Sequence, residues 1–103
     1  MLFAFSVAPS VSDKSGSVSA AVADAIRVVR DSGLPYELTS MFTTIEGDWD
    51  EVMPVIKAAC DAVAQHGPRV SLVLKADLRP GYADQLTAKV SRVREHLDQE
   101  GLA

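Results

Sequence analysis

The chain has 103 residues, 48% hydrophobic and 23% charged, with a formal net charge of −4. That fits a single globular domain over residues 1–103 and excludes a disordered or low-complexity protein. Basic and acidic residues are interspersed, so the concentrated basic surface that nucleic-acid binding requires is absent. In chain order, Leu2-Phe-Ala-Phe-Ser-Val-Ala8 reads as a strand, with Phe3, Phe5 and Val7 on one face. Pro9 is expected to end it, because proline donates no ladder hydrogen bond. Ser10–Ser17 is polar and turn-rich, a loop. Val18, Val22, Ile26 and Val29 then recur at helical spacing, with Ser17 or Ser15 as the N-cap, Gly33 as the stop and Pro35 blocking resumption.

Tyr36–Gly47 reads as two short strands joined by a tight reversal. One face carries Tyr36, Leu38, Met41, Thr43 and Ile45; the other carries Glu37, Thr39, Phe42, Thr44 and Glu46. The second face mixes hydroxyls, carboxylates and one ring, which suits a small polar heteroaromatic molecule. Asp48 or Asp50 caps a second helix whose inner stripe is Val52, Ile56, Ala59 and Val63, with Pro54 expected in its first turn. Gly67-Pro68 stops it. Arg69–Asp77 is the fourth strand, with Val70, Leu72 and Leu74 facing one way and Ser71, Val73 and Lys75 the other. Pro80-Gly81 breaks it, and a last helix spans about Tyr82–Gln99 with Leu86, Val90, Val93 and Leu97 in a stripe.

The order is β-α-β-β-α-β-α. Two βαβ units around a hairpin predict an α+β ferredoxin-like sandwich with an antiparallel sheet and an extra C-terminal helix. The second sheet face (Ala4, Ser6, Thr39, Phe42, Thr44, Val73 and Lys75) is too apolar for free exposure on a monomer. The C-terminal helix or a second subunit is expected to cover it.

One cysteine, Cys60, rules out an intrachain disulfide framework and fits a reducing compartment. Leu2–Ala8 lacks the features of a secretory leader, and no apolar run approaches the roughly 20 residues that cross a bilayer. The expected setting is cytoplasmic, away from membranes. Cys60 reads as a small buried hydrophobe, and with His66 and His96 it lacks zinc-ligand spacing. Glu37 and Glu46 make no convincing acid–base dyad. No cofactor, metal or catalytic residue is indicated, and the chain reads as a binder rather than an enzyme.

Tyr36-Glu-Leu-Thr39, Met41, Thr43, Ile45-Glu-Gly47 and Trp49-Asp-Glu-Val52 resemble the small thiamine-binding protein family. So do Ser17-Val-Ser19, Ile56-Lys-Ala-Ala59, and Arg69-Val-Ser71 with Lys75, Asp77 and Arg79. The resemblance implies a ferredoxin-like domain that pairs into dimers or tetramers. It also implies binding of thiamine or its hydroxymethylpyrimidine portion, without catalysis. The chain departs from many members at Cys60, where histidine is common. It departs again at Phe42, where a small residue is common and a phenyl ring would narrow a ligand pocket.

Glu46 is the leading ligand residue on this reading, since a carboxylate matches the amine and ring nitrogen of an aminopyrimidine. The plainer reading is a strand-end glutamate favouring the next helix N-terminus. The family match favours Thr39 and Thr43, whereas the polar face favours Thr39 and Thr44; a bulge near Ser40 would reconcile the two. Ser17 and Ser19 can present hydroxyls and N–H groups at a helix start, suited to an anion or simply to capping. Tyr36 can stack on a ring or pack in the core. Two rival functions share the scaffold: an adaptor module that binds another protein, and a small enzyme acting on a cyclic compound.

Overall fold

In a computed structural model, residues 1–10 and 18–100 are described. Four strands form one antiparallel sheet: β1 (Leu2–Pro9), β2 (Tyr36–Leu38), β3 (Thr43–Glu46) and β4 (Val70–Asp77), in the order β2-β3-β1-β4. Helices α1 (Ser19–Asp31) and α2 (Trp49–Val63) pack on one face, and α3 (Gln85–Gln99) follows β4. This is the ferredoxin-like α+β arrangement expected from the element order, with the additional C-terminal helix.

The core lies between the sheet and the two helices. Phe3, Phe5 and Val7 of β1 meet Ile45 of β3, Ala21, Ala25 and Val29 of α1, and Val52, Ile56, Ala59 and Val63 of α2. Phe3 faces Ile45 and Ala76 across the ladder, and Phe5 faces Thr43 and Leu74, so these residues share the helix-side face. The α2 stripe is the expected one. Glu51 Oε1 accepts the Asp48 backbone N–H at 3.1 Å, and Asp50 and Glu51 place negative charge in the first turn. Gly47 is needed for packing: a Cβ there would lie 2.9 Å from Val52 Cγ2, in the core.

Three expectations need correction, and one at the end of β1 holds. Pro9 is the last residue of β1, as expected; it is buried and pairs with Val70, and just beyond it the Ser10 N–H donates to the Arg69 carbonyl at 2.9 Å. A proline is tolerated at a strand end because only one ladder donor is lost. Pro54 sits in the second turn of α2, on its exposed side, where the donor it lacks costs less than in the core. The buried stripe of α1 is Ala21, Ala25 and Val29, whereas Val22 and Ile26 are only half-buried. Small alanines let α1 approach α2 closely, and the branched residues turn toward the sheet edge. The last helix begins at Gln85, after Asp84 at φ 58°, a left-handed conformation that Asp tolerates. The proposed caps Ser15 and Ser17 lie outside the described residues.

The second sheet face carries Ala4, Ser6, Glu37, Thr44, Glu46, Val73, Lys75 and Asp77, by the ladder register. The C-terminal helix does not cover it. α3 meets the body through its start, against β3, and Val90, Val93 and Leu97 remain exposed. Val73 is 55% exposed. Among the described residues, no helix is long and apolar enough to cross a membrane.

Candidate functional site

The hairpin β2–β3 is tight, as expected. Tyr36 pairs with Ile45, Glu37 with Thr44 and Leu38 with Thr43. Ser40 and Met41 form the tip, closed by Thr39 N–H to the Phe42 carbonyl at 2.9 Å. The Thr39 hydroxyl donates to the same carbonyl at 2.7 Å. Such a side-chain bond stabilises the reversal without a glycine.

Beside this hairpin, on the helix side of the sheet, α1 stands off from β2 and leaves an open cleft in two parts. The outer part, about 440 Å³, is lined by Ser19, Val22, Ala23, Ile26, Arg27, Arg30, Tyr36 and Leu38. The inner part, about 250 Å³, runs along β1 under the hairpin tip and includes Val18, Thr39, Phe42 and Thr43. Val22, Ile26 and Leu38 line both parts, so they are continuous. Volumes of this order suit a small organic ligand. The walls are aliphatic, with hydroxyls from Ser19, Tyr36, Thr39 and Thr43 and two guanidinium groups at the outer end. Among the described residues, neither part is lined by His, Cys, Asp or Glu.

The cleft therefore brings together four residues singled out from the sequence: Ser19, Tyr36, Thr39 and Thr43. Thr43 is 4% exposed and points helix-side opposite Phe5, whereas Thr44 lies on the opposite face. The turn at Ser40-Met41, with no bulge in the paired strands, places Thr39 and Thr43 on one cavity. Phe42 is among the residues that line the inner part. Ser17 lies outside the described residues.

Glu46 stands apart. It is 8% exposed, on the other sheet face, and accepts hydrogen bonds from the first backbone amides of α3: Gln85 at 2.8 Å and Leu86 at 3.4 Å. A carboxylate here satisfies donors that a helix start leaves without partners and complements its dipole. The plainer alternative placed Glu46 at the following helix, α2; the helix it serves is α3, 39 residues away along the chain. The sequence reading did not single out Val22, Ile26, Arg27 and Arg30 as site residues. The signal available was their common stripe on α1 with Ser19 and Ala23, at spacings of three and four.

Elsewhere, Asp24 takes His66 Nε2 at 2.5 Å and the Arg27 guanidinium, and the hydrogen bond from His66 is the largest cause holding its carboxyl below the usual range. Lys89 Nζ does the same to Asp77 at 2.5 Å. Burial pushes the Cys60 thiol up, which fits a small core-side group rather than a nucleophile. Among the described residues, no three His, Cys, Asp or Glu side chains gather to hold a metal.

A four-stranded antiparallel sheet in this order and two helices on one face define a small ferredoxin-like α+β domain, here with an open cleft at the sheet edge. A family model described as thiamine-binding protein matches residues 3–94, and the chain belongs to that family. A UPF0045 protein of Mycobacterium bovis is 52% identical over 99 residues, covering 94% of each chain. A hypothetical protein of Methanocaldococcus jannaschii superposes with a TM-score of 0.80 at 31% identity, over 91% of this chain and 95% of that one. A Thermotoga maritima protein provisionally described as a thiamine biosynthesis/salvage protein superposes with a TM-score of 0.73 at 26% identity, over 88% and 97%.

Proposed function

We propose that this protein binds thiamine, or its pyrimidine portion, in the cleft between α1 and the β2–β3 hairpin, as a non-catalytic cytoplasmic homo-oligomer. The observation that carries the reading is the convergence of Ser19, Tyr36, Thr39 and Thr43 on one largely aliphatic cleft in a chain of the thiamine-binding family. Hydroxyls both donate and accept, so they match the amine and ring nitrogens of an aminopyrimidine. The Tyr36 ring offers a face for stacking. The described lining holds hydroxyls and guanidiniums but no carboxylate, thiol or imidazole to move a proton, which favours binding over catalysis.

Self-association is supported by the uncovered sheet face, where Val73 is exposed, and by the exposed Val90, Val93 and Leu97 stripe of α3. Glu46 belongs in this reading to the anchoring of α3 rather than to the ligand.

The test is calorimetric titration with thiamine and with hydroxymethylpyrimidine, on the parent and on Ala23→Phe. A phenyl ring at Ala23 fills the outer cleft. Binding by the parent and its loss in the folded variant is the expected result. No heat with either compound, or unchanged affinity in Ala23→Phe, would defeat the assignment.

A further inference from the structure

The charge of the cleft is more specific than its shape. Its described lining contains two cations, Arg27 and Arg30, and no carboxylate. The two arginines stand three residues apart on α1 and occupy the outer end, facing Tyr36 and Leu38 of β2. Their own acidic neighbours sit outside the lining. Arg27 meets Asp24, and Arg30 Nε meets Asp31 Oδ1 at 3.0 Å. Both pairs are solvent-exposed and local, within three residues of sequence, so they hold the guanidiniums weakly. Asp24 is also shared with His66. Each guanidinium has five N–H donors in a planar fork, more than one carboxylate contact consumes.

Thiamine itself carries a permanent positive charge on its thiazolium ring. Placed in this cleft it would find no described carboxylate to offset that charge, and two guanidiniums at the mouth. A phosphate ester reverses the balance. It carries about −1.5 to −2 charges at neutral pH and presents three acceptor oxygens that arginine forks match.

We infer that the preferred ligand of the cleft is a phosphate ester, with the heterocycle held among Tyr36, Leu38 and the threonines and the phosphate held by Arg27 and Arg30. This rests on the cleft assignment made above and sharpens it. The anionic end lies toward the C-terminal half of α1 and solvent. The heterocycle lies inward, toward Thr39 and Thr43. No bond is made or broken; the phosphate serves as a handle.

The experiment is a set of calorimetric titrations at low and high salt. The ligands are thiamine, thiamine monophosphate, hydroxymethylpyrimidine, its phosphate and inorganic phosphate alone. The expected result is that each ester binds at least about tenfold more tightly than its alcohol at low salt, because a charge-assisted contact is gained. That ratio should shrink as salt rises. In the double variant Arg27→Gln, Arg30→Gln it should fall toward one, while Lys57→Gln on α2 should leave it as in the parent. The two ester arms identify which heterocycle the handle serves.

Thiamine binding as tightly as its phosphate, or more tightly, would overturn this inference and leave the thiamine-binding assignment standing. Inorganic phosphate binding as tightly as the esters would also overturn it, by showing a general anion site. Binding of none of the five compounds would defeat both readings. An ester preference that survives in the double variant would remove the two arginines from the role.

Discussion

The two faces of the sheet are served by one hairpin, and they differ in what they ask of it. On the helix side, Tyr36, Leu38 and Thr43 project from β2 and β3 into a cleft bounded by α1, while Ile45 continues into the core. On the other side, Glu46 holds the first amides of α3 and Thr44 lies beside Ala4 on an uncovered surface. Adjacent residues of one short strand therefore go to different tasks. Strand parity enforces that division: a one-residue change of register would exchange the two sets. Away from the cleft, the helix side is densely packed around Phe3, Phe5, Ile45 and Ile56 and tolerates little change. The other side holds α3 at one end, where Glu46 takes its first amides and Asp77 takes Lys89, and leaves Val73 exposed.

Core substitution should show this contrast most strongly. Ile56→Ala removes atoms from a side chain that is 1% exposed and should lower unfolding stability by about 2–5 kcal/mol in urea titrations. Val93→Asp, on the exposed stripe of α3, should leave the stability of the dissociated subunit within about 0.5 kcal/mol. It should instead shift the sedimentation of the protein toward monomer. Equal destabilisation by the two would mean that α3 packs into the subunit core.

Removing the anchor is a smaller change. Glu46→Ala leaves the Gln85 and Leu86 amides without their acceptor and should cost about 1–3 kcal/mol. Hydrogen exchange should accelerate at those two amides, and ligand affinity in the cleft should stay at the parent value. A large loss of affinity with α3 intact would return Glu46 to the binding site.

The threonine pair tests parity directly. Thr43→Val should weaken ligand binding by about 0.5–1.5 kcal/mol, since it removes one neutral hydrogen-bonding group and keeps the shape. Thr44→Val should leave binding unchanged. The reverse order would place the ligand on the open face.

The smallest effect is electrostatic. Asp24 and Asp77 have carboxyls lowered by His66 and Lys89 respectively. A lowered folded-state pKa contributes stability that is full above the unfolded value near 4 and is lost as pH falls through the folded value. Melting curves from neutral pH down through the acid limb should show a shallower decline below about pH 4 in Asp24→Asn and in Asp77→Asn. An identical acid limb in parent and variants would remove both pairs from the stability of the fold.

Much of the fold was legible because its signals are local. The α2 stripe, the β4 alternation and the hairpin all follow from periodicity, and they were located correctly. The phase of α1 was misread because alanines, not the larger branched residues, face α2. Hydrophobicity alone favours Val22 and Ile26 for burial, whereas close helix packing favours Ala21 and Ala25. Of the mixed polar face, Glu37, Thr44 and Glu46 face away from the cleft, whereas Thr39 and Phe42, at the turn where strand parity breaks down, line it; Thr43 was singled out through the family resemblance alone. Glu46 stood out as a carboxylate suited to a ligand, but the partners it has are the amides of Gln85 and Leu86, brought to it only by the crossover through β4. A contact at that sequence separation has no local signature. Arg27 and Arg30 look like ordinary solvated charges until β2 is placed opposite them.

The most direct test is a map of amide chemical-shift changes on titrating the ¹⁵N-labelled protein with thiamine and its monophosphate. If the ligand occupies the α1–hairpin cleft, the changes will cluster on Ser19–Arg30 and on Tyr36–Thr43, with Lys75, Asp77, Gln85 and Leu86 unmoved. Changes centred instead on Lys75, Asp77, Gln85 and Leu86, with the cleft silent, would contradict it and put the ligand on the open face beside Glu46.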